Sequence, residues 1–104
     1  MIHLPPKACM DMLANKPTLC IDIRERYEFE AYNIGWENVP MSETITYMLR
    51  HQIEKDKLIL IMCNSGARAS AMGNMLETEY GYTSVVVVED GIQGWINQMN
   101  TQAL

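Results

Sequence analysis

The sequence predicts an α/β fold: an open, mostly parallel five-stranded sheet with helices on both faces. Two observations lead there. Three short segments, TLCIDI (18–23), LILIMC (58–63) and SVVVVE (84–89), are almost continuously apolar, as strands buried on both faces of a parallel sheet must be. Between them run stretches with helical spacing of apolar residues. Strands alternating with helices fold most economically as a layered α/β sheet with right-handed crossovers.

Taken in chain order, MIH (1–3) supplies a short first strand. Residues Pro5 to Asn15 form the first predicted helix and turn Ala8, Cys9, Met12 and Leu13 toward the core. TLCIDI follows as the first long strand, and the acidic group ERYEFE (25–30) reads as a solvated helical face. ENVP (37–40) is the second minor strand and brings the sheet to five. Ser42 stands where an N-cap belongs, ahead of a helix whose Ile45, Met48, Leu49 and Ile53 share one face. After LILIMC comes a helix beginning at about Arg68, with Met72, Met75, Leu76 and Tyr80 as its stripe and Gly81 as its stop. SVVVVE leads into a last stripe of Ile92, Trp95, Ile96 and Met99, in which Trp95 is the packing anchor. The nine methionines fall largely on these stripes, as adaptable core filler.

Bulk properties bound the setting. A chain of 104 residues, 48% apolar and without repeats or low-complexity runs, suits one domain spanning 1–104. A net charge of −5, from 8 basic and 13 acidic residues with no basic run, excludes a nucleic-acid partner. The N-terminus MIHLPPKACM lacks the features of a signal peptide, and no apolar run approaches the thickness of a bilayer. A cytoplasmic protein without membrane contact is therefore expected. Cys9, Cys20 and Cys63 form no CxxC pair and leave one thiol over, as in a reducing compartment. With His3 and His51 apart from each other, no metal-ligand spacing exists and no cofactor is expected.

Cys63 is the residue that points to chemistry. It ends a predicted strand, and ligands of open α/β sheets bind beyond the carboxyl ends of their strands. Asn64, Ser65, Gly66, Ala67 and Arg68 then turn directly into a helix. Backbone N–H groups at such a turn lack helical partners and converge on an anion, with the helix dipole and the charge of Arg68 adding to the attraction. Gly66 permits the backbone such a cradle needs. Cys63 is thus read as a nucleophile activated by its surroundings. A Cys–His protease is disfavoured because His51 falls within a predicted helix and His3 near the terminus. The structural alternative is that Cys63 merely closes a buried strand.

The order IDIRERYEFEAYNI, NVP, LILIMCNSGARASAMGNML and VVVVEDGIQGW resembles the single-domain rhodanese-like sulfurtransferases. The shared elements are Asp-x-Arg-Glu, the loop Cys-x-x-Gly-x-Arg and the ending Gly-x-x-x-Trp, and the likeness covers nearly the whole chain. It implies a six-residue active loop from Cys63 to Arg68. It also implies that the Cys63 thiolate takes a sulfane sulfur from a small anionic donor such as thiosulfate, becomes a persulfide, and passes the sulfur to cyanide or to a thiol, including a protein thiol. In that scheme Ser65 donates a hydrogen bond to the persulfide, and Arg68 holds an anionic donor or orients the loop. Phosphatases of similar topology place five residues between Cys and Arg; here four intervene, a tighter ring suited to one sulfur atom.

Two positions depart from the family pattern. Asn64 stands where Arg is frequent, which weakens the pull on a dianion. In NIGWENVP, Asn33 and Trp36 replace a His-Ile-x-Gly-Ala pattern, and Trp36 is expected to pack at a sheet edge or, alternatively, to line the cleft. Asp22, Arg24 and Glu25 should lie at the same sheet end as Cys63, with Asp22 and Arg24 as an ion pair supporting the loop or, alternatively, in direct contact with substrate. Cys20 and Cys9 read as core, with Cys9 as a second sulfur relay the lesser alternative. A non-catalytic binding module or a protein-partnered sulfur relay is the rival reading of the whole domain.

Overall fold

The computed structural model describes residues 1–103. Five strands, β1 (Ile2–Leu4), β2 (Leu19–Asp22), β3 (Glu37–Asn38), β4 (Ile59–Met62) and β5 (Val85–Val88), form one sheet in the order β1-β5-β4-β2-β3. All four pairings are parallel, so the expectation of a mostly parallel sheet is met without exception. Both minor strands exist, although β3 has only two residues. The helices are α1 (Pro6–Asn15), α2 (Arg26–Ala31), α3 (Thr44–Arg50), α4 (Ala67–Thr78) and α5 (Gly91–Ala103).

The central strands explain their own composition. In β4, Ile59 and Ile61 join one apolar cluster with Met48 of α3 and Ala69, Met72 and Leu76 of α4. Leu60 and Met62 join the opposite cluster with Cys9 of α1 and Ile92 and Trp95 of α5. In β5, Val85 and Val87 alternate with Val86 and Val88 between the same two layers. Successive strand residues point to opposite faces, so a strand covered on both sides has no position left for a polar residue.

The helix ends differ in places from the sequence reading. Ser42 does not cap α3: it lies inside a 3-10 turn, Met41–Glu43, and Glu43 precedes the helix without a side-chain cap bond. The hydroxyl of buried Thr44 instead donates to the carbonyls of Val39 and Pro40. Helix α3 also stops at Arg50, which leaves His51 at its end rather than within it. Leu49 consequently points outward, 56% exposed, while Ile53 packs on the core from beyond the helix. Tyr80 likewise lies beyond α4 but still packs against the core. Gly81 does act as the predicted stop: at φ +75° it lets the Tyr82 N–H reach back to the Leu76 carbonyl at 3.0 Å.

Leu60 is fully buried in the central strand, so Leu60→Ala should cost about 2–5 kcal/mol, read from the urea midpoint at unchanged slope.

Candidate active site

Three backbone elements converge at the carboxyl end of β4. The chain leaves the strand at Cys63, crosses Asn64 and Ser65, and reaches Gly66, which precedes α4 in a left-handed conformation at φ +106°. Glycine is the residue that adopts this without strain. The turn aims the Gly66 N–H back at the Cys63 sulfur, 3.0 Å away, and the Ala69 N–H reaches the same sulfur at 3.4 Å. Ala69 lies in the first turn of a twelve-residue helix, where N–H groups have no helical acceptor. The sulfur is therefore held by two backbone dipoles and the positive end of α4. Only 1% of Cys63 is open to solvent.

The other side of the loop is held by the start of α5. The Ile92 N–H donates to the Cys63 carbonyl at 2.8 Å and the Gln93 N–H to the Asn64 carbonyl at 3.4 Å. Gln93 Nε2 also donates to Asn64 Oδ1 at 3.4 Å. This close approach needs Gly91, at φ +55°: a Cβ there would collide with the Cys63 carbonyl oxygen and lie 2.6 Å from that of Asn64. The Ser65 hydroxyl is exposed, and the donors that reach the sulfur are backbone N–H groups.

Arg68 does not reach across the loop as a free charge. Its guanidinium donates to both oxygens of Glu28, Nη1 to Oε1 at 2.7 Å and Nη2 to Oε2 at 2.9 Å. This hydrogen bond to Arg68 is the chief reason the Glu28 carboxyl is held down at about 2, and Arg68 is raised in return. Glu28 was read from the sequence as part of a solvated face and is the site residue that reading missed. Its signal was present as a capping box: Glu28 accepts from the Glu25 N–H while Glu25 accepts from Glu28.

Asp22 and Arg24 do form the expected ion pair, fully buried. Arg24 Nε and Nη2 bind the Asp22 carboxylate at 3.0 and 2.9 Å. What they support directly is α2 and not the loop, because Arg24 donates onward to the carbonyls of Glu28 at 3.2 Å and Tyr32 at 2.8 Å. Helix α2 then presents Glu28 to Arg68. The pair thus reaches the loop through one intermediate helix.

The remaining candidates sit apart. Cys9 is fully buried in the α1–α5 layer, whereas Cys63 belongs to the cluster on the other face of the sheet. Burial, then the neighbouring Cys20 and Glu89, push the Cys9 thiol up to about 11. Burial does the same for Cys20, which is half-buried rather than wholly core. Trp36 packs edge-on against Trp95, ring centroids 5.4 Å apart, within that second layer. Among the described residues no group of three or more His, Cys, Asp or Glu side chains is arranged to hold a metal ion.

Two expectations follow from this geometry. Gly91→Ala should push the loop off α5 and cost about 1–3 kcal/mol in a urea melt. Because Glu28 titrates near 2 when folded, against 4.5 ordinarily, its contribution is complete above 4.5 and is lost as pH falls toward 2. Between about pH 6 and about pH 3, wild type should therefore lose about 1 kcal/mol more stability than Glu28→Gln, an amount reduced by solvent screening of the pair.

Comparison with known proteins agrees with this architecture. The family model described as Rhodanese-like domain matches residues 5–98. A rhodanese-like domain protein from Staphylococcus aureus superposes with a TM-score of 0.75 at 26% identity, over 91% of each chain. A rhodanese-related protein from Thermoplasma volcanium gives 0.76 at 25% identity, covering 94% of this chain and 93% of the other. Reduced Bacillus anthracis CoADR-RHD shares the fold with a TM-score of 0.80 at 24% identity, where 97% of this chain corresponds to 17% of that longer one. No curated protein matches the sequence. With the family model spanning nearly its full length, the chain belongs to the rhodanese-like domain family.

Proposed function

We propose that the protein is a sulfurtransferase in which Cys63 carries a sulfane sulfur, as a persulfide, from a donor such as thiosulfate to a thiophilic acceptor: cyanide, a small thiol or a protein thiol. The observation that carries this reading is the pair of N–H groups, from Gly66 and Ala69, aimed at the Cys63 sulfur at the N-terminus of α4. Such a cradle stabilises a sulfur anion without an adjacent base. It serves equally the attacking thiolate and the persulfide anion that replaces it.

In the forward step the Cys63 thiolate attacks the donor's outer sulfur. An Sγ–S bond forms, the donor's own S–S bond breaks, and the electron pair leaves with the departing sulfite or thiolate. The acceptor thiolate or cyanide then attacks the same outer sulfur and releases Cys63. The enclosure of Cys63 favours a slender terminal atom over a tetrahedral oxyanion. Arg68 acts as a positioning residue through Glu28, and Asp22 with Arg24 acts through α2. Three free thiols are in keeping with a reducing, cytoplasmic setting. Among the described residues no helix is long and apolar enough to cross a membrane.

Intact mass spectrometry after incubation with thiosulfate or a peptide persulfide should show the gain of one reducible sulfur atom. The gain should be absent in Cys63→Ser with an unchanged circular dichroism spectrum. Retention of the added mass in that variant would move the chemistry to another residue.

A further inference from the structure

The donor class can be narrowed from the charges around the loop, on the reading that Cys63 carries the sulfur. Eight Lys and Arg residues are present, and three of them, Arg24, Arg26 and Arg68, follow β2 or β4 at the carboxyl end of the sheet. Each is already committed to a carboxylate of its own chain: Arg24 to Asp22 at 2.9 Å, Arg26 to Glu43 at 2.9 Å, Arg68 to Glu28 at 2.7 Å. Lys16 lies between α1 and β2, and Arg50, Lys55 and Lys57 end α3 or lie between it and β4, all toward the amino ends of the strands. Lys7 lies in the first turn of α1, after β1 and so also at the carboxyl end of the sheet, but it does not line the space along Ser65, Gly66 and Ala67. Among the described residues no Lys or Arg thus lines the space along Ser65, Gly66 and Ala67. Asn64 adds no charge, and its side chain is held by Gln93.

The uncommitted charges beside the loop are negative. A cleft of about 280 Å³ runs along Ser65, Gly66 and Ala67 and is walled by Glu89 and Asp90, with His3 and Ser70 on its other sides. Neither carboxylate has an ion-pair partner among the described residues. A dianion approaching Cys63 meets neutral N–H groups inside the loop and like charge at its rim, whereas a cationic carrier meets complementary charge.

We propose that the donor is a cysteine persulfide on a protein or peptide, flanked by Lys or Arg, and that thiosulfate is a poor substrate. The cationic residues seat against Glu89 and Asp90 while the outer sulfur enters the loop. Cys63 Sγ bonds to that outer sulfur, the donor's S–S bond breaks, and the electron pair leaves on the donor's cysteine as its thiolate. No external oxidant or reductant takes part.

The test compares rates of Cys63 loading, by quenched-flow mass spectrometry, for thiosulfate and two persulfide peptides of equal length flanked by Lys or by Glu. The Lys peptide should load about tenfold faster than the Glu peptide at low salt, and the difference should shrink at about 0.5 M salt. Glu89→Gln combined with Asp90→Asn should collapse the difference, and Asn64→Arg should raise the thiosulfate rate. If thiosulfate or the Glu peptide loads wild-type Cys63 as fast as the Lys peptide, this assignment falls while the sulfurtransferase reading stands. If no donor loads Cys63, both fall.

Discussion

The hydrogen bond from the Ile92 N–H to the Cys63 carbonyl, 2.8 Å long, joins the end of β4 to the start of α5, and the loop geometry depends on it. It forms because Gly91 offers no Cβ to block the approach. With the Cys63 carbonyl fixed from one side, the chain must turn through Gly66 at φ +106° to enter α4. That turn points two N–H groups at the sulfur. The Cys63 loop is thus made from two helix starts and a strand end, with glycines where the chains crowd and where the backbone turns left-handed.

Electrostatics act at two depths. Asp22 and Arg24 are 0% and 5% exposed at their side chains, and such a pair is retained only with its hydrogen bonds satisfied. Arg24 meets this condition by capping carbonyls of α2 and its exit, which converts a costly buried charge into a fixed position for Glu28. Nearer the surface, Glu28 holds Arg68 and takes its charge out of circulation. The Arg68 guanidinium is thereby fixed by two hydrogen bonds to a residue of α2.

Much of the fold could be read in the chain because burial on both faces leaves a direct mark. Residues 59–62 and 85–88 are apolar without interruption, and β4 and β5 lie there. Boundaries set by local rivals were harder to see. Ser42 has the chemistry of a cap, yet the Thr44 hydroxyl already bonds the Val39 and Pro40 carbonyls, and a 3-10 turn occupies the position. Leu49 fits a helical stripe on paper but points to solvent, because α3 ends one turn short of the spacing that included Ile53.

The sequence by itself determined the parallel sheet and the glycine that turns the chain after Cys63, since each rests on local residue chemistry or on two-faced burial. Only the tertiary structure decided what each charge does. Glu28 and Arg68 are 40 residues apart, and nothing in either neighbourhood distinguishes a paired arginine from a free one. Packing of α2 against the loop brings them together, and among the described residues it leaves neither Glu89 nor Asp90 with an ion-pair partner.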